Sequence, residues 1–495
     1  MAKTQSKQES IVFDNFHGYM PGVKAAVTIS NSQDIFETRA NQKVEVEAEG
    51  KTKGRSVVPW GADNKLPQVI MEKVYKSPIL TSGMLFNIEM GYGDGILPCF
   101  IDYDEKGNKI ILPFKLLGAK LKADIANAQG SEQAPLKKRL RLWETTMEEV
   151  NTFMEDNDID GWLLEAVTDL NWFYNVFPEL VSNLDSGDKR KIVSLVHREA
   201  VFSRWEEMDP KTGIIEKHYY STKWTEVQDL NKENIFVTPV LNYRSPLQDL
   251  KKRFVDASEK KVDERENRWI VPINFPTPGR TYYQKPYWYS LIESGWYDFA
   301  IAIPEAKKYI MTNKMLIQYH IELSEEYFPM IFKAEGIMDD KTKQKARVKK
   351  EFDDINSFLS GQKNNGKSVI SYTRYVNGTP LPTMKISSVD SPIKGGEYID
   401  DSEEVSNILS YGIGVHPSII GSSPGKNGSI NGTEARELFI IKQALTKPIR
   451  DRLLRPLYII KAINNWDPEL KWVIPNVTLT TLDKDPTGQK KTATA

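Results

Sequence analysis

Residues 408–457 read ILSYGIGVHPSIIGSSPGKNGSINGTEARELFIIKQALTKPIRDRLLRPL, and this stretch decides the fold. An amphipathic helical pattern ends at Gly412, an apolar step follows at residues 415–420, and a polar loop then extends to Gly432. Thr433 and Glu434 open the next helical pattern, because small polar residues and acids are favoured at a helix start. The stretch therefore predicts two helices joined by a long loop.

The loop is rich in glycine and small polar residues, and its charge comes from Lys426. Glycine permits backbone conformations closed to other residues, so the loop glycines are predicted hinges. These are Gly421, Gly425, Gly428 and Gly432. The polar side chains include Asn427, Ser429 and Asn431. None of these residues has the character of a catalytic group, so the loop suits contact with something that slides past it; an ordinary surface loop is the plainer interpretation.

An enzymatic alternative starts from Gly421–Lys426, which is similar to part of the phosphate-binding motif G-x-x-x-x-G-K-[ST]. One spacer residue is missing, and Asn427 stands where Ser or Thr would hold magnesium. The preceding pattern is helical, whereas the motif follows a buried strand. A nucleotide- or nucleic-acid-processing enzyme that uses this loop is therefore kept as the alternative function.

A resemblance to a known family follows from the order of these elements. Residues 414–421 (GVHPSIIG), the polar loop, Glu434-Ala435-Arg436 and residues 445–450 (LTKPIR) resemble the late region of tailed-bacteriophage portal proteins, the head-to-tail connectors. Residues 60–67 (WGADNKLP) and Tyr287-Trp288 are similar to other landmarks of that family. The resemblance covers most of residues 55–465 in the order and spacing of elements.

The resemblance implies an α+β fold of the portal type, with long helices, a β-rich wing and a small or absent crown. Its implied divisions follow the family's order. They are a disordered tail at 1–10, a wing-like domain at 11–285, a first stem helix at 286–324, a clip-like domain at 325–396, a second stem helix at 397–413, a tunnel-loop region at 414–433, a long kinked wing helix at 434–466, and a short C-terminal segment with a disordered tail at 467–495.

The implied function is a ring at one capsid vertex of the virion that performs no catalysis and conducts DNA during packaging and ejection. Family precedent gives a homo-oligomer of twelve copies with double-stranded DNA passing through it without sequence specificity. The implied partners are the major capsid protein, the terminase and a head-tail adaptor, without a membrane. Assembly is expected in the host bacterial cytoplasm.

The resemblance also implies where contacts fall. The tunnel loop faces DNA, which makes Lys426, Asn427, Ser429 and Asn431 the candidate channel residues. In a ring, one lysine per subunit forms a girdle of weak, salt-screened phosphate contacts. The basic helix predicted at 341–358 could face DNA or an acidic partner, or be solvated. Its candidate partner contacts are Lys341, Lys345 and Lys349.

The helix after the loop has an apolar repeat at three- and four-residue steps, which predicts one apolar face. The repeat comprises Leu438, Ile441, Leu445, Ile449 and Leu453. Pro448 and Pro456 fall inside it and are expected to bend or interrupt the helix. The same segment is basic, and its cations could pair with acids of a neighbouring chain, lie in water or contact phosphates. They are Arg436, Lys442, Lys447, Arg450, Arg452 and Arg455.

Composition excludes several classes of protein. The chain has 495 residues, a net charge of −1 and 27% charged residues, so it lacks the basic balance of a tight DNA binder and a monomeric DNA-binding adaptor is disfavoured. Cys99 is the single cysteine and the five histidines are scattered, so no cofactor or metal site is predicted. Paired acids occur mainly where a helix start or turn is predicted, which is their ordinary place. The polar N terminus and the lack of a long apolar run predict a soluble protein made in a reducing compartment.

The remaining patterns give further expectations along the chain. Helices at 67–91, broken at Ser77-Pro78, precede a hairpin that turns at 104–108. Residues 115–140 are predicted to be a flexible insertion. A β-rich block follows at 192–220, with the domain boundary placed at 274–280. A helix at 290–322 that breaks near Pro304 leads to a strand at 328–332 and to a hairpin around Asn377-Gly378.

Overall fold

The computed structural model describes residues 56–224, 234–259, 261–262, 265–279, 282–314, 319–360, 399–420 and 432–479, and short strands at 12–13, 17–20, 25–28, 373–376, 379–382, 384–388 and 489–492. The predicted tail at 1–10 lies outside these residues. The chain divides into two compact units. Unit 1 is Met1–Ile301 with Asp400–Ala495, and unit 2 is Ala302–Ile399. Helices and sheets are mixed in both, so the class is α+β, as predicted.

The first described elements comprise a small sheet that was not predicted, and helices and a hairpin that confirm the predictions for residues 67–114. Strands β1 (Val12–Phe13), β2 (His17–Met20) and β3 (Ala25–Thr28) form a small sheet. Helices α1 (Leu66–Lys76) and α2 (Pro78–Tyr92) are separated at Ser77, whose side chain accepts a hydrogen bond from the Leu80 amide at 3.4 Å. Strands β4 (Leu97–Tyr103) and β5 (Lys109–Pro113) form the predicted hairpin.

The predicted flexible insertion at 115–140 is wrong, because two helices occupy it. Helix α3 (Lys115–Asn127) packs against α4 (Gln133–Asp156). Gly118 lies so close to the Trp143 ring that an added Cβ would be 2.3 Å from it, and the Trp143 indole donates to the Phe114 carbonyl at 3.1 Å. Packing of a large side chain onto a small one stabilises a helix whose own periodicity is weak.

Helix α5 and the following sheets form the core of unit 1. Asp158 caps α5 (Ile159–Phe173) by accepting from the Gly161 amide at 3.2 Å. Strand β6 (Asn175–Ser182) pairs with β7 (Ile192–Arg198), and β8 (Ser203–Trp205), β9 (Lys217–Tyr220) and β10 (Phe236–Pro239) form a second sheet. The predicted β-rich block is confirmed. After α6 (Pro246–Ser258), strands β11 (Arg268–Ile270) and β12 (Ile273–Asn274) pair with β6 as well.

The predicted first stem helix, placed at 290–322 within 286–324 and broken near Pro304, is wrong in two respects. The break falls before Pro304, since α7 (Ser290–Glu293) and α8 (Trp296–Lys314) are separated at Gly295, whose φ of +85° favours glycine. Pro304 lies inside α8, where the helix continues past it. Residues 319–323 then form strand β13 (Tyr319–Leu323) instead of helix. The boundary between the two units falls within α8.

Unit 2 contains a helical hairpin and short strands. The predicted strand at 328–332 is wrong, because α9 (Tyr327–Ala334) spans it. The rings of Phe328 and Phe332, one helical turn apart, stack at 6.0 Å, and Phe352 of α10 (Lys341–Ser360) contacts Phe328 at 5.7 Å. Strands β14 (Thr373–Val376) and β15 (Thr379–Pro382) pair, which confirms the predicted hairpin, although Asn377-Gly378 lies outside the described residues. Strand β16 (Met384–Ser388) pairs with β13.

The chain returns to unit 1 through helices that bracket the polar loop. They are α11 (Ile399–Gly412), α12 (Pro417–Ile420), α13 (Gly432–Leu453) and α14 (Arg455–Ile463). The predicted end at Gly412 is confirmed. The long kinked helix is confirmed as two helices meeting at Leu454; Pro448 lies within α13 and Pro456 in the first turn of α14.

The C-terminal strands differ in part from the prediction. Strand β17 (Lys471–Val473) joins the edge of β4, and β18 (Asn476–Leu479) pairs with β19 (Gln489–Thr492). The expected disorder of the last residues is therefore wrong at 489–492. The strands form because β4 and β18 each offer a partner edge.

Candidate functional site

The predicted channel loop itself lies outside the described residues, which stop at 420 and resume at 432. This applies to the predicted DNA-facing residues Lys426, Asn427, Ser429 and Asn431, and to the predicted hinges Gly421, Gly425 and Gly428. Gly432 is the first residue of α13. These roles stay predictions, and the structure describes the frame that holds the two ends of the loop.

The segment before the loop is tightly held. An added Cβ at Gly412 would lie 2.4 Å from the Leu291 side chain, so the end of α11 packs directly on α7. Gly414 has a φ of +69°, a conformation that glycine adopts without strain. The Asn87 side chain of α2 donates to the Ile413 carbonyl at 2.9 Å. The chain therefore leaves α11 in a defined direction.

A lysine of α13 ties the two sides of the loop together. The Lys442 ammonium donates to the Gly414 carbonyl at 2.7 Å. Lys442 is half-buried, and burial lowers its pKa to about 8. The middle of α13 is thus joined to the segment just after α11 by a hydrogen bond whose donor can lose its charge just above neutral pH.

A second base of α13, Arg450, is buried inside unit 1. Its guanidinium donates to the Met90 carbonyl at 2.6 Å and to Asn476 Oδ1 at 2.6 Å, and burial lowers its pKa. These partners belong to α2 and β18, which are remote in sequence. Arg450 therefore links three elements of unit 1.

The other bases of this segment also have partners within the chain. Lys447 pairs with Asp451 at 3.0 Å, and Arg436 donates to the Gly432 carbonyl at 3.2 Å. Arg455 donates to the Tyr243 carbonyl at 2.7 Å, and Arg452 to the Tyr243 hydroxyl at 3.4 Å. The predicted partners of these cations were an acid of a neighbouring chain, water or phosphate. Each of the six has a contact inside its own chain, and the three alternatives stay predictions.

The middle of the apolar repeat of α13 faces solvent. Ile441 is 56% exposed and Leu445 is 70% exposed, whereas Leu453, at the end of the repeat, is fully buried. Ile440, 48% exposed, widens this apolar surface. Tyr411 of α11, 86% exposed, lines a 220 Å³ pocket together with Leu445. We call the surface of Tyr411, Ile440, Ile441 and Leu445 the α13 apolar face.

The polar side of the same helix is buried. Gln443, Thr446 and Arg450 are buried. The Gln443 amide donates to the Val477 carbonyl at 2.7 Å, and the Thr446 hydroxyl to the Lys442 carbonyl at 2.8 Å. Helix α13 thus packs within its chain through hydrogen-bonding side chains, while Ile440, Ile441 and Leu445 of its apolar side remain largely exposed.

The three candidate partner lysines lie together in unit 2. Lys341, Lys345 and Lys349 are exposed, follow each other at four-residue steps on α10, and line one groove of about 550 Å³. Four-residue spacing places side chains on one side of a helix. The structure therefore brings these predicted residues together, and we call them the lysine stripe.

Some residues with a structural role escaped the sequence analysis. Trp60, in the similar segment 60–67, stacks on Tyr283 with ring centroids 4.3 Å apart. Arg204 is completely buried and donates to the Asn64 carbonyl at 2.8 Å, and burial lowers its pKa to about 10. The bulky and polar residues around Trp60 indicate a packed segment in the sequence. They do not indicate that Trp60 stacks on Tyr283 or that Asn64 accepts from Arg204. This segment is a packing centre of unit 1.

The acids considered for an enzyme have other partners. The Asp160 carboxylate accepts from the Ile96 amide at 3.1 Å, and that of Asp340 from the Thr342 amide at 3.0 Å. Asp400 and Asp401 lie in the first turn of α11.

Within the described ranges, no group of three or more His, Cys, Asp or Glu side chains could hold a metal ion. Among the residues placed by the structure, no helix combines the length and apolar composition that a membrane crossing needs.

Comparisons with known proteins give structural likenesses. No protein-family model matches the sequence, and no curated protein sequence matches it. A chain from the neck of an empty gene transfer agent (GTA) particle computed with C6 symmetry is similar in structure, with a TM-score of 0.48 and 12% identity over 85% of each chain. A chain from the virion of a native GTA particle has a TM-score of 0.47 and 12% identity, covering 90% of this chain and 88% of the other.

Proposed function

We propose that this protein is a portal-type subunit, which assembles with copies of itself into a closed ring at one capsid vertex and conducts double-stranded DNA without catalysing a reaction. The proposal includes docking of a terminase and a head-tail adaptor on the ring and contact with the major capsid protein. Its basis in the sequence is the ordered set of portal-like segments between residues 55 and 465.

The observation that carries the proposal is the reversed packing of α13. A helix in a monomeric protein ordinarily turns its apolar side inward. Helix α13 buries Gln443, Thr446 and Arg450 and exposes Ile441 and Leu445. An apolar surface of this kind is typical of a protein interface.

A second copy is the occupant that the proposal assigns to this face. When one face of a subunit contacts a different face of its neighbour and the rotation closes, a ring results. The α13 apolar face belongs to the helix that begins at Gly432, where the loop predicted to face the channel ends. Ring closure through this face would therefore set the loops of all subunits around one axis.

The test is the mass and shape of the purified full-length protein, by native mass spectrometry and negative-stain imaging. The expected result is a ring of about a dozen subunits with a central hole, as expected for closed heterologous assembly. A stable monomer or dimer at every concentration would overturn the proposal.

A separate assay addresses the enzymatic alternative. The expected result is no magnesium-dependent nucleotide hydrolysis above that of the Lys426→Ala variant, because the loop lacks the spacing and the Ser or Thr of a phosphate-binding loop. Turnover that depends on Lys426 would instead support an enzyme that uses the Gly421–Lys426 loop.

A further inference from the structure

The groove beside the lysine stripe is preformed, because the hairpin of α9 and α10 is held by several polar contacts. Arg347 pairs with Glu335 at 2.8 Å and with Glu351 at 2.6 Å. The Tyr327 hydroxyl donates to Glu351 at 2.6 Å, and the Gln344 amide donates to the Met338 carbonyl at 2.7 Å. These contacts fix the two helices and the turn between them.

The surface of this groove is mainly apolar. Phe332, Val348 and Phe352 line it, and the Phe352 side chain is 51% exposed. Phe328 supports the groove from α9 through its ring contacts with Phe332 and Phe352. Exposed aromatic surface in a fixed concave site favours binding of an apolar side chain.

The charges of α10 are divided between two sides. Lys343 pairs with Asp340 at 3.3 Å, and Arg347 pairs with two glutamates. In the described part of the chain, no ion pair or hydrogen bond involves the side chains of the lysine stripe. Asp353 is the acid that also lines the groove, so three cations and one anion surround it. The groove therefore combines an apolar floor with a positive rim.

The spacing of the rim indicates the shape of the occupant. From Lys341 to Lys349 the stripe extends about 12 Å at 1.5 Å per residue. Acids at four-residue steps on a second helix have the same spacing. An apolar stripe on that helix would fill the groove between Phe332 and Phe352. Two turns of an amphipathic helix match both features.

The neighbouring part of this chain has the wrong charge to be the occupant. Residues 361–372, which directly follow α10, contain Lys363 and Lys367 and no acid. DNA could contact the lysines through its phosphates. Its phosphates would then lie close to the carboxylate of Asp353, and DNA would not cover the apolar residues of the groove. An acidic amphipathic helix uses both the floor and the rim.

We propose that the α9–α10 groove is a docking site for an acidic amphipathic helix of a partner protein. Its apolar residues contact Phe332, Val348 and Phe352, and its carboxylates pair with Lys341, Lys345 and Lys349. The inference deepens the proposed docking role of the ring by naming the chemistry of the partner. It requires the α9–α10 hairpin alone, and so it holds whether or not the ring forms.

The test uses the full-length protein and a fluorescent synthetic helix of about 18 residues with a leucine stripe flanked by glutamates. Anisotropy titration is expected to give saturable binding that weakens with salt. Lys345→Glu/Lys349→Glu is expected to raise the dissociation constant about tenfold or more, because two attractive contacts become repulsive. Phe352→Ser should raise the dissociation constant as well, because it removes an aromatic ring from the groove. The matched control, Lys350→Glu, changes an exposed charge of the same helix that does not line the groove and should alter binding less than about twofold.

Three results would overturn the inference. The first is no binding by the wild-type protein at peptide concentrations approaching 1 mM, about the weakest affinity of a specific site. The second is equal binding of a scrambled peptide of the same composition. The third is binding of a DNA duplex that the double variant loses while peptide binding is unchanged, which would make the groove a nucleic-acid contact. Circular dichroism of each variant shows that the fold is kept, and native mass spectrometry of the same samples reports ring formation separately.

Discussion

Helices α10 and α13 are both rich in basic residues, yet they use them in opposite ways. Those of α13 and the start of α14 contact carbonyls, hydroxyls and one carboxylate of their own chain, which leaves the apolar side of α13 exposed. In α10, Lys343 and Arg347 pair with acids, whereas the lysine stripe borders an apolar groove. A basic helical pattern therefore does not indicate a nucleic-acid surface until the partners of each cation are known.

The difference also separates two kinds of interface. Four side chains with large apolar surfaces form the α13 apolar face, so its expected partner is another apolar surface, which a second copy supplies in the proposed ring. The α10 groove has a positive rim, so its expected partner is acidic. Interfaces of permanent oligomers are more apolar than those of partners that come and go. In the proposed function, α13 therefore contributes the permanent assembly contact and α10 the exchangeable docking site.

The largest expected effect is loss of the ring on charging the α13 apolar face. Ile441→Glu/Leu445→Glu removes two apolar side chains from the proposed contact, each worth about 1.5–3 kcal/mol when buried. Native mass spectrometry should show monomers, with the melting temperature of the monomer nearly unchanged because both positions are exposed. The control is Leu164→Glu, at a position of α5 that is 47% exposed. Intact rings in the double variant, or equal loss in the control, would contradict the assignment of this face.

The second effect concerns stability and tests whether the bases of α13 are structural. Arg450→Ala removes the hydrogen bonds to Met90 and Asn476 and leaves buried acceptors without donors. The free energy of unfolding should fall by about 2–4 kcal/mol. Chemical denaturation of the isolated subunit measures it.

A neighbouring arginine provides the matched control. Arg452→Ala removes a single 3.4 Å contact with the exposed Tyr243 hydroxyl and should change the free energy of unfolding by less than about 0.5 kcal/mol. If both variants lower the free energy of unfolding by the same amount, the contacts of Arg450 do not stabilise the fold specifically. The conclusion that the bases of α13 are structural, unlike the lysine stripe of α10, would then be wrong.

The third effect is a pH dependence from Lys442. Burial lowers its pKa from the ordinary 10.5 to about 8 in the folded chain, so the unfolded chain binds more protons between these values. Stability therefore rises as pH increases from about 8 to 10.5, because the cost of burying the charge disappears. The neutral amine can still donate to the Gly414 carbonyl.

The measurement compares unfolding curves across this pH range. Lys442→Met should flatten the rise seen in the wild-type protein, whereas Lys447→Met, at an exposed residue paired with Asp451, should keep it. A rise that persists in Lys442→Met would show that another group titrates there.

Much of the local structure followed from sequence, because the chemistry that sets it is local. Ser77-Pro78 separates α1 from α2, and Gly412 ends α11, through capping and packing effects that a short segment contains. Helix α3 was missed because its stability comes from contact with Trp143, which lies on the next helix. A weak local pattern does not indicate such a contact.

The sequence distinguished the two sides of α13 but did not predict which of them is buried. The periodicity of α13 identified its apolar side correctly, yet burial followed the polar side. The deciding partners, Met90 and Val477, lie far from α13 in sequence. The sequence of a helix shows which of its sides is apolar and which is polar. Contacts with elements remote in sequence determine which side is buried.

The smallest expected effect is that of Lys426, which belongs to neither helix and is the cation proposed to meet DNA directly. A phosphate contact carries no base information and is screened by salt, so each contacting lysine contributes about 0.9 to the slope of log affinity against log salt. Lys426→Ala rings should bind duplex DNA with a shallower salt dependence, by about one for each lysine that touches a phosphate, and equally across sequences. The control is Lys447→Ala, whose lysine is paired within α13. If the two variants show the same slope as the wild-type ring, DNA passes the loop without contacting Lys426, and the girdle of charge is not part of the channel.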